Sequence, residues 1–110
     1  MTEKIAINKK GEVELSTGRK VKLKEMSIDD VDFCSDIAEI KYNENGDVTG
    51  VRNVSKSRTA WIRRGIAGGE FKDFSFNVKG HLSDRCLMEL NEIEKNELVG
   101  LIQEYQILGE

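Results

Sequence analysis

Alternation of apolar and polar residues marks the first quarter of the chain and predicts β-strands there, because every second side chain of a half-buried strand faces the core. Three short runs show this period of two, and turns containing Gly11 and Gly18 separate them. We predict strands within residues 1–25 that form a small antiparallel meander, with one apolar face and one face rich in Lys and Glu. The apolar positions of the three runs are Ile5, Ile7, Val13, Leu15, Val21 and Leu23.

The next segment has the features of a helix start. Ser27 can act as the N-cap, and Asp29 and Asp30 would lie in the first turn, where the helix dipole favours carboxylates. We predict a helix over residues 27–40. Residues 41–53 contain the turn-forming sequence Asn-Glu-Asn-Gly-Asp and are predicted to form a loop or a mobile hairpin.

A second helix is predicted over residues 55–67. Ser55 can cap its beginning, and the pair Gly68-Gly69 is typical of the end of a helix. Residues 71–78 are ambiguous. Their phenylalanines alternate with polar residues as in a strand, but the same segment is compatible with an irregular apolar plug.

The C-terminal part is predicted to be helical over residues 83–108. Ser83 would begin a short helical turn that runs to Leu90, and Asn91 would cap a longer last helix. The apolar positions of this last helix follow the spacing of an amphipathic helix. They are Leu98, Leu101, Ile102, Tyr105 and Leu108.

Together these elements predict an α+β fold of a single domain, residues 1–110, in which a small N-terminal antiparallel β-meander is followed by three to four helices. Hydrophobic residues make up 38 % of the chain and charged residues 34 %, which is typical of a soluble domain with a modest core. No apolar run approaches the roughly 18 residues of a membrane span, and the first 25 residues lack the apolar centre of a secretory signal. We therefore expect a cytosolic protein with no membrane partner.

Charge alternates strongly along the chain, although the net charge is only −3. Residues 25–47 contain eight acids and one base, and residues 48–69 contain five bases and no acid. Residues 84–110 are acidic again, with seven acids and two bases. Such blocks can pair within the domain, can pair between copies, or can simply be solvated faces. The overall acidity argues against nucleic acid as a partner.

Residue types suited to catalysis or metal binding are few. His81 is the only histidine, and no cluster of cysteines or carboxylates surrounds it in the sequence. The glycines of RRGIAGGEF follow a predicted helix instead of preceding one, so they do not match a phosphate-binding loop. Cys34 and Cys86 form no Cys-x-x-Cys motif and are predicted to be buried, reduced side chains. We expect no catalytic residue, no cofactor and no metal.

Two groups of residues are candidates for a protein interface. The basic helix of residues 55–67 places Trp61 among arginines, a composition typical of interface anchors. Trp61 could instead be a core residue, or could stack on a nucleic-acid base. The stripe of the last helix could dock a partner's apolar helix, or could pack on the meander. The candidate interface residues are Arg58, Trp61, Arg64, Leu98, Leu101, Ile102 and Tyr105.

The segment STGRKVKLKEMSIDDVDFCSDI resembles the N-terminal pattern of tail assembly chaperones and related small morphogenesis proteins of tailed bacteriophages. In that pattern a glycine and a basic residue precede a strand, and a hydrophobic residue with Ser or Thr then leads into an acidic helix. The ending LSDRCLMELNEIEKNELVGLIQEYQILGE resembles the helical later part of the same proteins. The matching residues are Gly18, Arg19, Val21, Leu23, Lys24, Glu25, Met26 and Ser27.

This resemblance implies a non-enzymatic role in the host cytoplasm. Tail assembly chaperones bind the tape-measure protein, keep its long apolar helices in solution and help tail-tube subunits polymerise around it. The implied partners are therefore the tape-measure or tail-tube protein, and the charge blocks would suit a homo-oligomer. Two alternatives stay open. One is a structural subunit of the virion, in the baseplate, neck or tail-completion region, and the other is a small acidic inhibitor of a host enzyme.

Overall fold

The computed structural model describes residues 5–108, and within them it contains five strands and four helices. The predicted α+β class is confirmed, with antiparallel strands near the N-terminus followed by helices. In chain order the elements are β1 (Glu12–Glu14), β2 (Lys20–Leu23), α1 (Ile28–Ile37), β3 (Glu39–Tyr42), β4 (Val48–Arg52), α2 (Val54–Gly65), β5 (Ile66–Gly69), α3 (Asp84–Glu89) and α4 (Glu92–Leu108).

A three-stranded antiparallel sheet has the order β1-β2-β5. Its predicted division into one apolar and one charged face is confirmed, because Val13 and Val21 are paired and buried while Glu12 pairs with Lys22 on the exposed side. Opposite charges across the strands favour this register, which a slip by one residue would invert.

The prediction of which segments form the strands of this sheet was partly wrong. The segment around Ile5 and Ile7 forms no strand, although both side chains are partly buried against the core. The third strand is β5, where Val21 pairs with Gly69 across 48 residues of sequence. The part of the predicted strand region at residues 1–4 lies outside the described residues.

Helix α1 begins as predicted and ends earlier. The Ser27 hydroxyl accepts a hydrogen bond from the Asp30 amide at 3.1 Å, which confirms the N-cap. The helix ends at Ile37 and not at residue 40, because Ala38 is extended and leads directly into β3.

Residues 39–52 form a hairpin, which we call the arm, so the simple loop predicted for residues 41–53 is wrong and the hairpin alternative is correct. The side chain of Asn43 accepts hydrogen bonds from the amides of Asn45 and Asp47 in the connecting turn. Gly46 supplies the positive φ of 84° that this turn requires.

Helix α2 differs from its prediction at both ends. It begins at Val54, after Asn53 in a left-handed conformation, so Ser55 is not its cap. It ends at Gly65 and not at residue 67. The glycines at 68 and 69 belong to β5 and do not terminate the helix.

The C-terminal helices follow the prediction closely. The Ser83 hydroxyl caps α3 by accepting from the Cys86 amide, and Asn91 precedes α4. Asn91 and Glu94 exchange reciprocal hydrogen bonds, because the amide of each residue donates to the side chain of the other. Residues 71–78 are irregular instead of a regular strand, with one bridge from Phe76 to Leu82.

One cluster of buried residues joins the sheet to the helices. It contains side chains from the inner face of the sheet and from α1, α2, α3 and α4. Helix α2 packs on both α1 and α4 and is therefore central in the helical layer. Because of this arrangement, some faces of α1 and α2 are covered by other elements and some are exposed to solvent.

Candidate functional site

The predicted interface stripe of α4 lies in the core. Leu98 and Ile102 are completely buried, and Leu101 is nearly so. Their covering surface is α2, where an ideal Cβ on Gly65 would lie only 2.4 Å from Ile102 Cγ2. The absence of a side chain at Gly65 lets the two helices approach closely, so the stripe is not available for a partner.

The predicted anchor residue Trp61 is also in the core, at 6 % exposure. It therefore fits the core interpretation and not that of an interface residue. Tyr105 is half-buried against the main cluster, with its ring close to Gly11. Of the two alternatives for the stripe of α4, docking a partner or packing in the core, the structure shows packing, with α2 as part of the covering surface. Helical periodicity identifies an apolar face without identifying what covers it.

The two arginines of the candidate set have separate surroundings. Arg58 donates to Glu92 at 2.7 Å and to Asn96 at 2.9 Å, so it connects α2 to the start of α4. Arg64 lies over the ring of Phe33, with 4.3 Å between the guanidinium carbon and the ring centroid, and its Nε is 3.4 Å from an Asp30 oxygen. Of these two arginines, Arg64 is among the residues that line an open cavity.

That cavity is a groove of about 700 Å³ between α1, α2 and the turn at residues 77–81. Phe33 and Ile37 of α1 face Ala60 of α2 across it, and Val78 contributes from the turn. Phe33 is 52 % exposed, and Val78 is fully exposed. The groove thus presents uncovered apolar surface from three separate parts of the chain, which is typical of a site that receives a partner's side chains.

Local hydrogen bonds hold Val78 at the edge of the groove. The Asn77 side chain accepts from the amides of Lys79 and His81 at 2.9 and 3.1 Å. The Gly80 amide donates to the Asn77 carbonyl, and Gly80 has a φ of 78°. Because Asn side chains favour such turns, this short segment is held in a defined shape and not left as a free loop.

The rim of the groove is basic. Its charged lining residues are Lys56, Arg63, Arg64 and Lys79, and no carboxylate is among the lining residues within the described range 5–108. Arg63 is paired with Asp84, and Arg64 with Asp30. Lys56 and Lys79 have no ion pair with any acid within residues 5–108. An apolar floor with uncompensated cations at its edge favours an apolar partner that has acidic flanking residues.

His81 also lines the groove and is its only titratable group near neutral pH. Burial lowers the pKa of His81 below its ordinary value, and the positive charge of Arg64 lowers it further. His81 is therefore neutral at pH 7. No group of three or more His, Cys, Asp or Glu side chains in the described part of the chain could hold a metal ion.

A second polar cluster, at the start of α4, is structural. Glu94 is buried and accepts hydrogen bonds from Arg19 Nε at 2.8 Å and from the Thr17 hydroxyl at 2.7 Å. Burial tends to raise the pKa of Glu94, but hydrogen bonds from the Asn91 amide, Arg19 and Thr17 outweigh burial and hold the pKa below its ordinary value. The carboxylate thus joins the β1–β2 turn to α4.

The three basic residues of α2 that pair across the fold explain much of the charge alternation. Arg58 pairs with Glu92, Arg63 with Asp84 and Arg64 with Asp30. The basic block of residues 48–69 therefore meets both acidic blocks within the same chain.

Both cysteines have the predicted environment. Cys34 and Cys86 are buried and free. Burial raises the pKa of the Cys34 thiol, which keeps it protonated and weakly nucleophilic at neutral pH. Within residues 5–108, no helix has the length and hydropathy needed to cross a lipid bilayer.

Sequence reasoning did not identify Phe33 and Val78 as site residues. A signal for Phe33 was present, because this aromatic residue directly precedes the buried Cys34, and adjacent residues of a helix do not share a face. Val78 had no comparable signal, since its exposure depends on the turn formed by Asn77 and Gly80.

No protein-family model matches this chain, and neither a curated protein nor a solved structure matches it. The residues and geometry described above are therefore the basis of the functional proposal.

Proposed function

We propose that this protein is a non-enzymatic morphogenesis protein of a tailed bacteriophage, similar in role to the tail assembly chaperones. It acts in the host cytoplasm by binding an apolar helix of the tape-measure or tail-tube protein before assembly. The observation on which the proposal depends is the groove between α1, α2 and the turn at residues 77–81, which exposes Phe33 and Val78.

The groove is suited to a helix of such a partner. A helix that docks in a groove inserts apolar side chains spaced at i, i+3, i+4 and i+7. The ring of Phe33 and the side chains of Ile37 and Val78 would contact such a row. Lys56 and Lys79 would attract acidic residues beside that row and thereby set the orientation of the helix.

The sequence resemblance supports the same role from a separate part of the chain. Its matching residues run from Gly18 to Ser27 and form the turn before β2, strand β2 itself and the cap of α1. Helix α1 then provides Phe33 and Ile37 to the groove. The resembling segment therefore leads directly into one wall of the proposed binding site.

Co-expression with the tape-measure protein of the same phage tests the proposal. The wild-type chain should increase the soluble fraction of the tape-measure protein and should co-purify with it. Phe33→Asp places a carboxylate among the apolar lining residues, and Val78→Asp places one at the edge of the groove; each should reduce co-purification by at least about tenfold.

Met88→Asp is the matched control, because Met88 is also a highly exposed apolar residue but lies on α3 outside the groove. It should leave co-purification unchanged. Retention of binding by both groove variants, or equal loss with the Met88 variant, would contradict the proposal.

The alternative role as a structural subunit of the virion has one observation in its favour, the exposed apolar face of the arm described below. Mass spectrometry of purified particles separates the two roles. Peptides of this chain at the stoichiometry of a tail component would support the structural role, and their absence would support the chaperone role.

A further inference from the structure

The arm of residues 39–52 has an apolar face that no element within residues 5–108 covers. Ile40 pairs with Val51 and Tyr42 pairs with Val48, and a bulge lies between the two pairs. Cross-strand partners share a face, and so do residues two apart on one strand, so all four side chains lie on the same side of the hairpin. Their exposed fractions lie between 54 and 62 %.

A hairpin of this kind is weakly stable when it stands alone in water, because two strands bury too little apolar surface. The arm packs extensively on no other described element, since its strands contact mainly each other. The radius of gyration is 14.9 Å, against roughly 13 Å for a compact chain of this length. An amphipathic hairpin that projects from the body is therefore expected to be covered by another molecule.

The charges of the arm indicate what that molecule is. The tip of the arm, residues 43–47, contains Glu44 and Asp47 and no base. The groove has an apolar floor, four basic lining residues and no lining carboxylate. The strands of the arm also contain the bases Lys41 and Arg52, so it is the acidic tip of the arm that is complementary in charge to the rim of the groove, while the apolar face of the arm is complementary to its floor. Each copy of the chain has one arm and one groove.

The positions of arm and groove favour a reciprocal contact. Ile37 lines the groove two residues before the arm begins, and Ser55 lines it three residues after the arm ends. The base of the arm therefore adjoins the groove. A surface with a projection beside a matching recess can pair with itself about a twofold axis, which closes the assembly at two copies.

We infer that the chain forms a symmetric dimer in which the arm of each copy lies in the groove of the other. The apolar face formed by Ile40, Tyr42, Val48 and Val51 packs against Phe33 and Val78 of the second copy. Glu44 and Asp47 lie near its Lys56 and Lys79. This inference depends on the arm and the groove alone. Because an arm and a helix of a tail protein would fill the same groove, the dimer would dissociate before such a partner binds there.

Sedimentation velocity of the purified chain over a wide concentration range tests the dimer. The average mass of the sedimenting species should rise from 12.4 kDa toward twice that value as the protein concentration increases. Ile40→Glu in the arm and Val78→Glu in the groove should each weaken dimerisation by at least about tenfold. Met88→Glu, which alters an exposed apolar residue elsewhere, should not. A wild-type chain that stays monomeric at all concentrations would overturn the inference.

The same measurement distinguishes the proposed contact from an arm-to-arm dimer. If the arms paired with each other, Ile40→Glu would weaken the dimer and Val78→Glu would not, which would overturn the reciprocal arrangement. In the proposed dimer, a mixture of the two variants retains one intact arm-groove contact. The mixture should therefore associate more strongly than either variant alone.

Charge reversal provides a test that leaves the apolar face of the arm intact, in case Ile40→Glu unfolds it. Glu44→Lys with Asp47→Lys should weaken the dimer, and adding Lys56→Glu with Lys79→Glu to the same chain should restore it. Wild-type dimerisation should also weaken as salt increases, because the charges at the rim are exposed and screened. Failure of the second pair of substitutions to restore association would contradict the proposed pairing.

Discussion

The arm and helix α4 contain similar apolar residues but differ in what covers them. Ile102 of α4 is completely buried against α2, whereas Ile40 of the arm is 56 % exposed. The two segments also differ in length, since α4 has 17 residues and the strands of the arm have four and five. The difference shows that an apolar stripe stabilises the monomer only where a second element of the same chain lies within contact distance.

The largest expected difference between the two regions is in stability. Ile102→Ala should lower the free energy of unfolding by about 2–5 kcal/mol, because it removes buried methyl groups and leaves a cavity between α4 and α2. Ile40→Ala should change it by no more than about 0.5 kcal/mol at low concentration, where the arm is uncovered. Urea denaturation measures both. Equal losses of unfolding free energy in the two variants would show that the arm is packed within the monomer.

The buried carboxylate of Glu94 should have the next largest effect. Glu94→Gln removes charge-assisted hydrogen bonds to Arg19 and Thr17 and should cost about 1.5–3 kcal/mol at pH about 7. Glu92→Gln is the control, because Glu92 pairs with Arg58 in contact with solvent, and its cost should be smaller. A larger cost for the exposed residue would contradict the structural role of Glu94.

The pH dependence of stability follows from the same residue. The pKa of Glu94 is lower in the folded state than its ordinary value of 4.5. Its contribution is therefore fully present above that value and is lost as the pH falls through the lower folded-state pKa. Glu94→Gln should reduce the loss of stability between pH about 5 and about 3. An unchanged slope in this variant would mean that other carboxylates cause the acid sensitivity.

The next largest effect on stability is expected at Gly65, where α2 and α4 approach each other closely. Gly65→Ala would place a methyl group within 2.4 Å of Ile102 Cγ2 and should destabilise the fold by about 1–3 kcal/mol. Thermal unfolding monitored by circular dichroism would measure the change. A neutral substitution would show that the two helices can separate without cost.

The smallest effect is expected at Gly100, which is the matched control on α4. Apart from its chain neighbours and the backbone of its own helix, no atom of residues 5–108 lies within 4 Å of the position that its Cβ would occupy. Gly100→Ala should therefore stabilise the protein by about 0.4–1 kcal/mol, because alanine favours the helix and reduces the freedom of the unfolded chain. A loss of stability would indicate a contact at this face of α4.

Local features of the fold were predictable from the sequence for a physical reason. Ser27, Ser83 and Asn91 each cap a helix through a hydrogen bond to a backbone amide three residues away. A contact of this range depends on neighbouring residues only, so the residue types are sufficient to predict it. The alternation in β1 and β2 is local in the same sense and correctly predicted which face of the sheet is buried.

The candidate site was less predictable because it depends on distant parts of the chain. Phe33 of α1 and Val78 of the turn line one groove although 45 residues separate them. Trp61 and the stripe of α4 were candidates either for an interface or for the core, and both are buried in the core, whereas the candidate Arg64 lines the groove. The helical periodicity correctly predicted which faces of the helices are apolar, but it does not predict which elements pack against those faces.

The sequence by itself determined strands β1 and β2, the presence of the four helices, the caps that begin α1, α3 and α4, and the division of the sheet into two faces. Tertiary structure decided that β5 is the third strand, that α4 is covered by α2, and that the arm and the groove remain open. The physical reason is the distance along the chain over which each kind of interaction acts. Hydrogen bonds and side-chain periodicity act over a few residues, whereas burial depends on which distant surfaces the folded chain brings into contact.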